Sequence, residues 1–276
     1  MIVVTGATGN VGRPLVQALA AAGEQVTATS RSITAPDVPE GVRYQQVDLT
    51  EPDTLAPVVE EAQALFLLTS ADFHAGDGDR LAGVMVIVRR ARVRRVVLLS
   101  SQGVGTGRHP SVLEDVVKQS GVDWTILRPG GFASNALWWA EMVRTQRMIT
   151  APFADVAIPI VDPTDIAQVA AVALREDGHS GQTYTLTGPT PITPRQQAAA
   201  IGEALREPVR FVEQNRAEAK TQMMQLMPEP VVERTLDALG TPKPEEQQVN
   251  PDIERVLGRP PRTFAEWAAR NSAAFK

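Results

Sequence analysis

The sequence predicts an α/β fold built on a doubly wound parallel sheet, and three observations support this prediction. Apolar segments of strand length recur through the first half of the chain. Helical patterns separate them, so each connection is long enough to cross over between parallel strands. The first segment leads directly into a glycine-rich turn that opens a helix. This alternation is typical of a parallel sheet with helices on both faces.

The individual elements are predicted from periodicity and from residues that start or stop helices. The predicted strands are residues 2–4, 26–29, 42–47, 65–68, 96–99 and 125–127, followed by 156–161, 183–186 and 209–212. The predicted helices are residues 11–22, 50–62, one following Leu81, 111–120, 163–174, one from 194, 217–227 and 263–270, with a polar linker at 241–248. Capping pairs mark two helix starts, Thr50 with Asp53 and Thr193 with Gln196.

Residues 5–12 read Thr-Gly-Ala-Thr-Gly-Asn-Val-Gly, with glycines at the spacing G-x-x-G-x-x-G. Gly6 permits a tight turn out of the strand, Gly9 lets a ligand approach the backbone, and Gly12 lets the helix pack closely on the strand. The N–H groups that open the helix then face an anion. This pattern predicts a Rossmann-type pocket for a dinucleotide pyrophosphate. The predicted pocket residues are Gly6, Thr8, Gly9, Asn10, Val11 and Gly12.

The end of the second predicted strand indicates which dinucleotide is bound. NAD-binding folds carry an acidic residue there, which accepts a hydrogen bond from the ribose 2′-hydroxyl. This chain has Ser30 and Arg31 instead, and a guanidinium matches a phosphate. We therefore expect NADP, with its 2′-phosphate on these two residues. After the third strand, Asp48 is expected either to accept from the adenine amine, with Leu49 packed on the ring, or to cap a helix.

Composition and charge exclude several classes of function. The 276-residue chain has no cysteine, so thiol and disulfide chemistry are excluded and redox work needs a bound cofactor. Three scattered histidines predict no metal site. A net charge of −5 argues against tight binding to nucleic acid. Because a strand begins at the first residue and no apolar run has membrane length, we expect a cytoplasmic protein without membrane contact.

Further blocks of sequence resemble one family, and the match runs nearly from end to end. The matching positions are residues 5–12, Arg31, 47–50, 98–100, 120–130, Asn135, 165–167, 184–189 and 263–267. On these residues the chain resembles the atypical short-chain dehydrogenase/reductases of the NmrA-like branch. That branch includes quinone reductases, triphenylmethane reductase, some polyketide ketoreductases and NADP-sensing regulators.

The resemblance implies two lobes and places the cofactor cleft. Residues 1–132 and 155–189 would form an NADP-binding Rossmann domain, and residues 133–154 and 190–276 a smaller, mostly helical lobe that binds substrate. Loops after strands four, five and six would line the cleft, which agrees with ligand binding beyond the carboxyl ends of parallel strands. The residues implied to bind cofactor in the first and last of these loops are Leu68, Thr69, Ser70, Pro129, Gly130 and Phe132.

The usual proton donor of this superfamily is missing. Short-chain reductases use a tyrosine whose pKa is lowered by a lysine four residues later, and no Tyr-x-x-x-Lys occurs in this sequence. The corresponding positions fall near Thr106 and Pro110. His109 is either a replacement acid or a solvent-exposed loop residue. The loop after the fifth strand is expected to supply donors to a developing oxyanion. The candidate catalytic residues of this loop are Ser100, Ser101 and Gln102.

Aromatic residues cluster where the substrate lobe is expected, which suits a planar ligand. Adjacent tryptophans cannot both face one core on a helix, so at least one of Trp138 and Trp139 is expected to line a cleft or interface, unless both serve ordinary packing. Met223 and Met227 either close over a flat substrate or belong to a helix core. The predicted substrate-binding residues are Phe132, Asn135, Trp138, Trp139, Met223 and Met227.

These observations predict an NADPH-dependent reductase that delivers hydride to a quinone or to a ketone of an aromatic polyketide-like molecule. Such acceptors suit a site without a strong acid, because the reduced oxygen becomes a delocalised anion or takes a proton from a neighbouring phenol. The alternative is a non-catalytic NADP(H) sensor that regulates a protein partner. A monomer or homodimer is expected in either case.

Overall fold

The computed structural model describes residues 1–69 and 78–276 of the chain. These described residues divide into two compact units. The first unit comprises Met1–Pro129, Pro163–Leu186 and Pro251–Arg259, and the second comprises Gly130–Asp162, Thr187–Asn250 and Pro260–Lys276. Each unit is therefore assembled from three separate stretches of the chain.

The described residues contain nine strands. They are β1 (Ile2–Thr5), β2 (Val26–Ser30), β3 (Arg43–Gln46), β4 (Ala64–Leu68), β5 (Arg95–Leu99), β6 (Asp123–Pro129), β7 (Met148–Pro152), β8 (Gln182–Leu186) and β9 (Arg210–Gln214). Seven of these strands form the parallel sheet of the first unit, in the order β3-β2-β1-β4-β5-β6-β8. The predicted Rossmann-type α/β class is confirmed.

Helices connect the strands. They are α1 (Gly12–Ala21), α2 (Ala56–Val59), α3 (Gly78–Arg90), α4 (Gln102–Gly105), α5 (Val112–Lys118), α6 (Ala140–Gln146), α7 (Pro163–Arg175), α8 (Pro194–Leu205), α9 (Arg216–Met223), α10 (Glu229–Gly240), α11 (Asp252–Leu257) and α12 (Phe264–Arg270). Across residues 1–69 and 78–276, none of the helices combines the length and apolar character that a membrane span requires.

Strand β1 lies where the strand order reverses. Val3 is in register with Thr27 of β2 on one side and with Leu65 of β4 on the other. In an open parallel sheet such a reversal leaves a crevice beyond the carboxyl ends of the strands, where ligands bind. The glycine-rich turn after β1 therefore stands at the predicted binding position.

Both faces of the seven-stranded sheet are buried. On one face Val3, Leu65 and Val96 lie in adjacent register and pack with Val84 and Val88 of α3, all of them fully buried. Alternate residues of each strand point to the other face, where α1 packs on α7. The continuous apolar strands of the sequence are thus explained by burial on both sides.

The second unit has its own core. Phe264 stacks on Trp267 at 5.3 Å between ring centroids, and Trp267 meets Phe275 edge-on at 6.3 Å. Helix α12 begins in a capping box, because the Thr263 hydroxyl accepts from the Glu266 N–H and the Glu266 carboxylate accepts from Thr263. Strands β7 and β9 pair in parallel beside this core.

Two predicted elements are wrong. Residues 156–161 form no ladder, and isolated bridges join Phe132 to Val161 and Ile158 to Ile192 instead; Pro159 within the segment lacks the N–H that a strand needs. Thr50 caps no long helix, because its hydroxyl donates to the Asp48 carboxylate at 2.8 Å. A 3-10 turn and the one-turn helix α2 follow it.

The unit boundaries differ from the predicted lobe boundaries at four places, of which residues 130–132 and 187–189 are shifts of three residues into the second unit. Residues 155–162 lie in the second unit, where the Val161 N–H donates to the Gly131 carbonyl at 2.8 Å. Residues 251–259 lie in the first unit, because the Thr185 N–H donates to the Asp252 carboxylate and Arg259 donates to the buried Asp165. The roles assigned to the two lobes remain predictions.

Candidate functional site

The glycine-rich turn is a compact backbone structure at the end of β1. Gly6 has a φ of +63°, a conformation that glycine adopts without strain. The Gly9 N–H donates to the Gly6 carbonyl at 3.0 Å, which closes the turn. A Cβ added to Gly12 would lie 2.1 Å from the Gly6 oxygen, so the start of α1 contacts the turn directly. The close packing predicted for Gly12 is thus made against the turn rather than along the strand.

The start of α1 is suited to an anion. Val11 at the N-cap provides no side-chain cap, and the first turn of α1 contains no acidic residue. Gly9 and Asn10 are exposed, Thr8 is half-buried, and Val11 is buried. Backbone N–H groups at such a helix start, together with the helix dipole, favour a phosphate.

Ser30 ends β2, and Arg31 follows it at the same edge of the sheet. The Ser30 hydroxyl oxygen is buried and, within the described residues, has no hydrogen-bond partner. Arg31 is exposed beside it. A buried polar atom without a partner is costly, so an unpaired hydroxyl beside a cation marks a place where a ligand oxygen can bind.

Asp48 lies close enough to Arg31 for their charges to interact. Hydrogen bonds from the Thr50 backbone and hydroxyl lower the pKa of Asp48, and the positive charges of Arg31 and Arg80 lower it further. The Asp48 carboxylate therefore closes a local turn onto Thr50. Leu49 packs partly buried against the core. These contacts favour the structural alternative for Asp48, and adenine binding remains a prediction.

The loop after β4 contacts the glycine-rich turn. The Thr5 hydroxyl accepts from the Leu68 N–H at 2.8 Å and donates to the Phe66 carbonyl at 3.0 Å. The Leu68 side chain packs against Gly6 and would lie 2.9 Å from an added Cβ there. Thr69 is half-buried. The predicted cofactor residue Ser70 lies outside the described residues.

Ser100, directly after β5, contacts a buried carboxylate. Its hydroxyl donates to Oε1 of Glu114 on α5 at 2.6 Å. The Glu114 side chain is 1% exposed and accepts from Arg128 on β6 through two bonds, at 2.8 Å from Nε and 2.6 Å from Nη2. Lys118 donates to the second Glu114 oxygen at 3.1 Å. Three elements thus converge on one carboxylate.

The Glu114 carboxylate is held in its charged form. Burial raises the pKa of Glu114, but hydrogen bonds from Arg128, Ser100 and Lys118 together outweigh burial and lower the pKa. An ionised carboxylate accepts hydrogen bonds and donates none. The Ser100 proton therefore points at Glu114, which argues against the predicted use of this hydroxyl as an oxyanion donor.

Ser101, Gln102 and His109 surround the short helix α4. The Ser101 oxygen caps α4 by accepting from the Gly103 N–H at 3.1 Å, and Gln102 is half-buried at its first position. The exposed His109 packs its ring against Gly103, where an added Cβ would lie 2.6 Å from Nδ1. This compact loop presents Ser101 and Gln102 beside Ser100.

Glu114 and Arg128 were missed by the sequence reasoning. A signal was available, because Glu114 stands three residues before the buried Val117 and therefore on the same face of a helix. A carboxylate on a buried face requires a partner. Arg128 on the apolar strand β6 supplies it.

The predicted residues near the start of the second unit differ in exposure. Pro129 is buried at the end of β6, and Gly130 and Phe132 are half-buried after it. Trp138 is 57% exposed, whereas Trp139 packs on the core of the second unit. Of the two tryptophans, Trp138 is therefore the one whose ring is accessible, and ligand contact by it remains a prediction. Asn135 is exposed in the same segment.

The methionines of the second unit mostly serve packing. Met223 and Met227 lie against a small buried cluster of Ala219, Val232 and Leu236. This contact favours the core alternative for both residues. Substrate contact by them remains a prediction.

Comparison with known proteins agrees with this geometry. An NAD(P)H-binding family matches residues 6–177. A (4-alkanoyl-5-oxo-2,5-dihydrofuran-3-yl)methyl phosphate reductase from Streptomyces griseus subsp. griseus is 35% identical, over all of this chain and 99% of the relative. An NAD(P)H azoreductase from Xenophilus azovorans is 31% identical, over the same shares. The NADPH complex of an Escherichia coli quinone oxidoreductase has a TM-score of 0.81 at 23% identity, over 98% of this chain and 99% of that one.

The fold and these matches define an NAD(P)H-dependent oxidoreductase. The chain belongs to the NAD(P)H-binding family. Its fold matches those of an Escherichia coli quinone oxidoreductase and of the negative transcriptional regulator NmrA, as the resemblance to the NmrA-like branch implies.

Proposed function

We propose that this enzyme is an NADPH-dependent reductase of conjugated acceptors such as quinones and the ketones of aromatic polyketide-like molecules. The observation that carries the proposal is the combination of a nucleotide site with a loop after β5 that contains no tyrosine or lysine. The Tyr-x-x-x-Lys pair is absent from the sequence, and Thr106 and Pro110 stand near its expected positions.

The residues at the ends of β1 and β2 fit NADPH. The unpaired Ser30 hydroxyl and the Arg31 guanidinium offer a donor and a positive charge to a 2′-phosphate. Gly9 is exposed on the turn, where a pyrophosphate can approach its backbone. When bound, NADPH supplies a hydride. The residues implied for the nicotinamide side are Thr69, Pro129 and Gly130.

General acid catalysis contributes about 10²–10⁴-fold to rates of proton transfer to oxygen, and reduction of an isolated ketone needs such an acid because it produces an alkoxide. A quinone yields a delocalised hydroquinone anion, which takes its proton from solvent. Ser101 and Gln102 lie beside Ser100 in the chain, and hydroxyl and amide groups of this kind can stabilise a developing anion without giving up a proton.

The exposed Trp138 ring offers a flat apolar surface in the unit to which substrate binding is assigned. The acceptors in the relatives' names, an azo compound and an alkanoyl oxo-dihydrofuran, are conjugated molecules as well. A conjugated, planar substrate agrees with both observations.

The proposal is tested by following the absorbance of NADPH with a panel of acceptors under anaerobic conditions. The panel contains 1,4-naphthoquinone, an azo dye and an alkanoyl furanone, and products are identified by mass. We expect oxidation of one NADPH for each quinone reduced. If NADPH binds and no conjugated acceptor oxidises it, the proposal fails and an NADP(H)-sensing role becomes the better account.

A further inference from the structure

The hydrogen-bonding capacity of the Glu114 carboxylate is fully used. Its two oxygens offer about four acceptor sites, and four donors reach them: Ser100 Oγ, Arg128 Nε and Nη2, and Lys118 Nζ. Two of the three donating residues are cations, so the carboxylate is charged. Ser100 has a single proton, and that proton is given to Glu114.

A hydroxyl whose proton is committed can still accept. The lone pairs of the half-buried Ser100 oxygen remain for a group on the ligand side. Donating a hydrogen bond to the Glu114 carboxylate polarises the hydroxyl and makes its oxygen a stronger acceptor. Ser101 differs, because its oxygen accepts from the Gly103 N–H and its proton is left to donate. The two adjacent serines therefore present opposite polarity.

We propose that Glu114 is a positioning residue that fixes Ser100 as a hydrogen-bond acceptor, so that the ligand group bound by Ser100 is an N–H or O–H donor. This inference rests on the proposed function for the identity of the ligands. The donor has two possible sources, the carboxamide NH₂ of the nicotinamide ring and a hydroxyl group beside the acceptor carbonyl.

The cofactor arm of the test measures binding alone. Affinities for NADPH and for its 3-acetylpyridine analogue, which carries a methyl ketone instead of the carboxamide, are determined by fluorescence titration without an acceptor. The wild-type protein is compared with Ser100→Ala. If the carboxamide is the donor, Ser100→Ala lowers the preference for NADPH over the analogue about tenfold. This factor corresponds to the loss of one net hydrogen bond to a polarised acceptor.

The acceptor arm compares 6-hydroxy-1,4-naphthoquinone with its 6-methoxy counterpart at pH 6. The two molecules differ in the donor and hardly in size. Binding is read by quenching of tryptophan fluorescence, and kcat/KM is measured where turnover occurs. If the ligand hydroxyl is the donor, Ser100→Ala reduces the preference for the hydroxy compound about tenfold.

Two further variants separate polarity from structure. Glu114→Gln presents an amide that can donate to Ser100, so the serine proton is released. Whichever preference falls in Ser100→Ala, for NADPH or for the hydroxy quinone, is expected to fall in Glu114→Gln as well. The matched control is Ser111→Ala, which removes an exposed hydroxyl that donates to Asp115 on the same helix at 2.6 Å. The control leaves both preferences unchanged.

A loss of preference in either arm supports the inference and identifies the donor. The inference is overturned if Ser100→Ala leaves both preferences unchanged. It is also overturned if the variant binds the methoxy and hydroxy quinones equally more weakly and binds NADPH and its analogue as the wild type does. Because both arms have a binding readout, failure of every quinone to be reduced would defeat the proposed function and still leave this inference decided.

Discussion

At the carboxyl end of β5, a serine and a buried glutamate set the polarity of the candidate site. Glu114 is held by Arg128 at 2.6 Å and by Lys118 at 3.1 Å, so the cluster carries one net positive charge beside Ser100. That charge favours an anionic product over a neutral one. The residues of this cluster therefore suit acceptors that become anions on reduction.

Glu114→Gln is expected to lower the free energy of unfolding by about 3 kcal/mol at neutral pH, because it breaks a buried ion pair. The pKa of Glu114 is lowered in the folded protein, so the carboxylate stabilises the fold above its unfolded pKa and loses this effect as the pH falls through the folded pKa. The difference in free energy of unfolding between wild type and variant should therefore decrease below about pH 4.5. Denaturant titrations at several pH values measure it.

The control for this experiment is Asp115→Asn on the same helix. Asp115 accepts from Ser111 at an exposed position, so its removal should cost less than about 1 kcal/mol. A loss in Glu114→Gln that stays constant down to pH 3 would contradict the charged state assigned to Glu114.

Arg31→Ala is expected to raise the Kd for NADPH by about 10- to 100-fold and to leave the Kd for NADH nearly unchanged. The factor corresponds to the free energy of a hydrogen bond to a charged group. The control is Arg43→Ala, an exposed arginine at the start of β3, 4.0 Å from Glu61. Equal losses for NADPH and NADH in Arg31→Ala would refute the 2′-phosphate assignment. Isothermal titration with both cofactors provides the measurement.

The sequence allowed Ser30 and Arg31 to be placed, because both follow a strand whose position is set by local pattern. Glu114 could not be assigned a partner in the same way. Its burial depends on Arg128, which is fourteen residues away in the chain and reaches it through the sheet. Contacts of this kind depend on tertiary packing.

At the scale of elements, the turn between β1 and α1 is the part of the site most tightly fixed by backbone geometry. Gly6 has left-handed backbone, and Gly12 leaves no room for a side chain against the Gly6 carbonyl. The loop after β4 supports the turn through Leu68. A change in this turn should therefore affect folding and nucleotide binding together.

Gly12→Ala is expected to lower the free energy of unfolding by about 1–3 kcal/mol or more, because its Cβ overlaps the Gly6 oxygen. The matched change Gly83→Ala lies within α3, where an added Cβ meets Pro52 at an ordinary 3.7 Å. Alanine favours a helix over glycine, so this variant should gain about 0.5–1 kcal/mol. Thermal unfolding of the two variants side by side checks both values.

A Gly12→Ala protein that is as stable as the wild type and binds NADPH with the same affinity would contradict this prediction. It would mean that the turn relaxes freely, and the glycine spacing would lose its physical basis.

Elements with strong local signals agree with their predictions, and those without such signals differ. The Thr193 capping box and the helix beginning at Pro163 are confirmed. Strand β7 and helices α4, α6, α10 and α11 are additional elements. Strand β7 is stabilised by pairing with β9, about sixty residues later, and the short helix α11 is held through Asp252 and Arg259. These elements depend on distant partners, which a local pattern does not contain.

At the scale of the whole molecule, alternating strands and helices were enough to predict the sheet of the first unit. Both units are assembled from separated stretches of chain, and the predicted boundaries differ where a return segment packs. The segment 251–259 joins the first unit through a buried aspartate, Asp165. Such a return cannot be deduced from periodicity, because the pattern of a short helix with charged residues does not indicate the unit on which it packs.

We propose that this enzyme reduces conjugated acceptors because its sequence lacks the Tyr-x-x-x-Lys pair that supplies the proton in short-chain reductases. The most direct test compares kcat/KM with NADPH for 1,4-naphthoquinone and for 1-tetralone, a ketone on a similar bicyclic skeleton. The account predicts that the quinone is favoured by at least about 10²-fold, the lower range of what a general acid contributes. Comparable reduction of both compounds would contradict it, because the site would then contain an efficient proton donor.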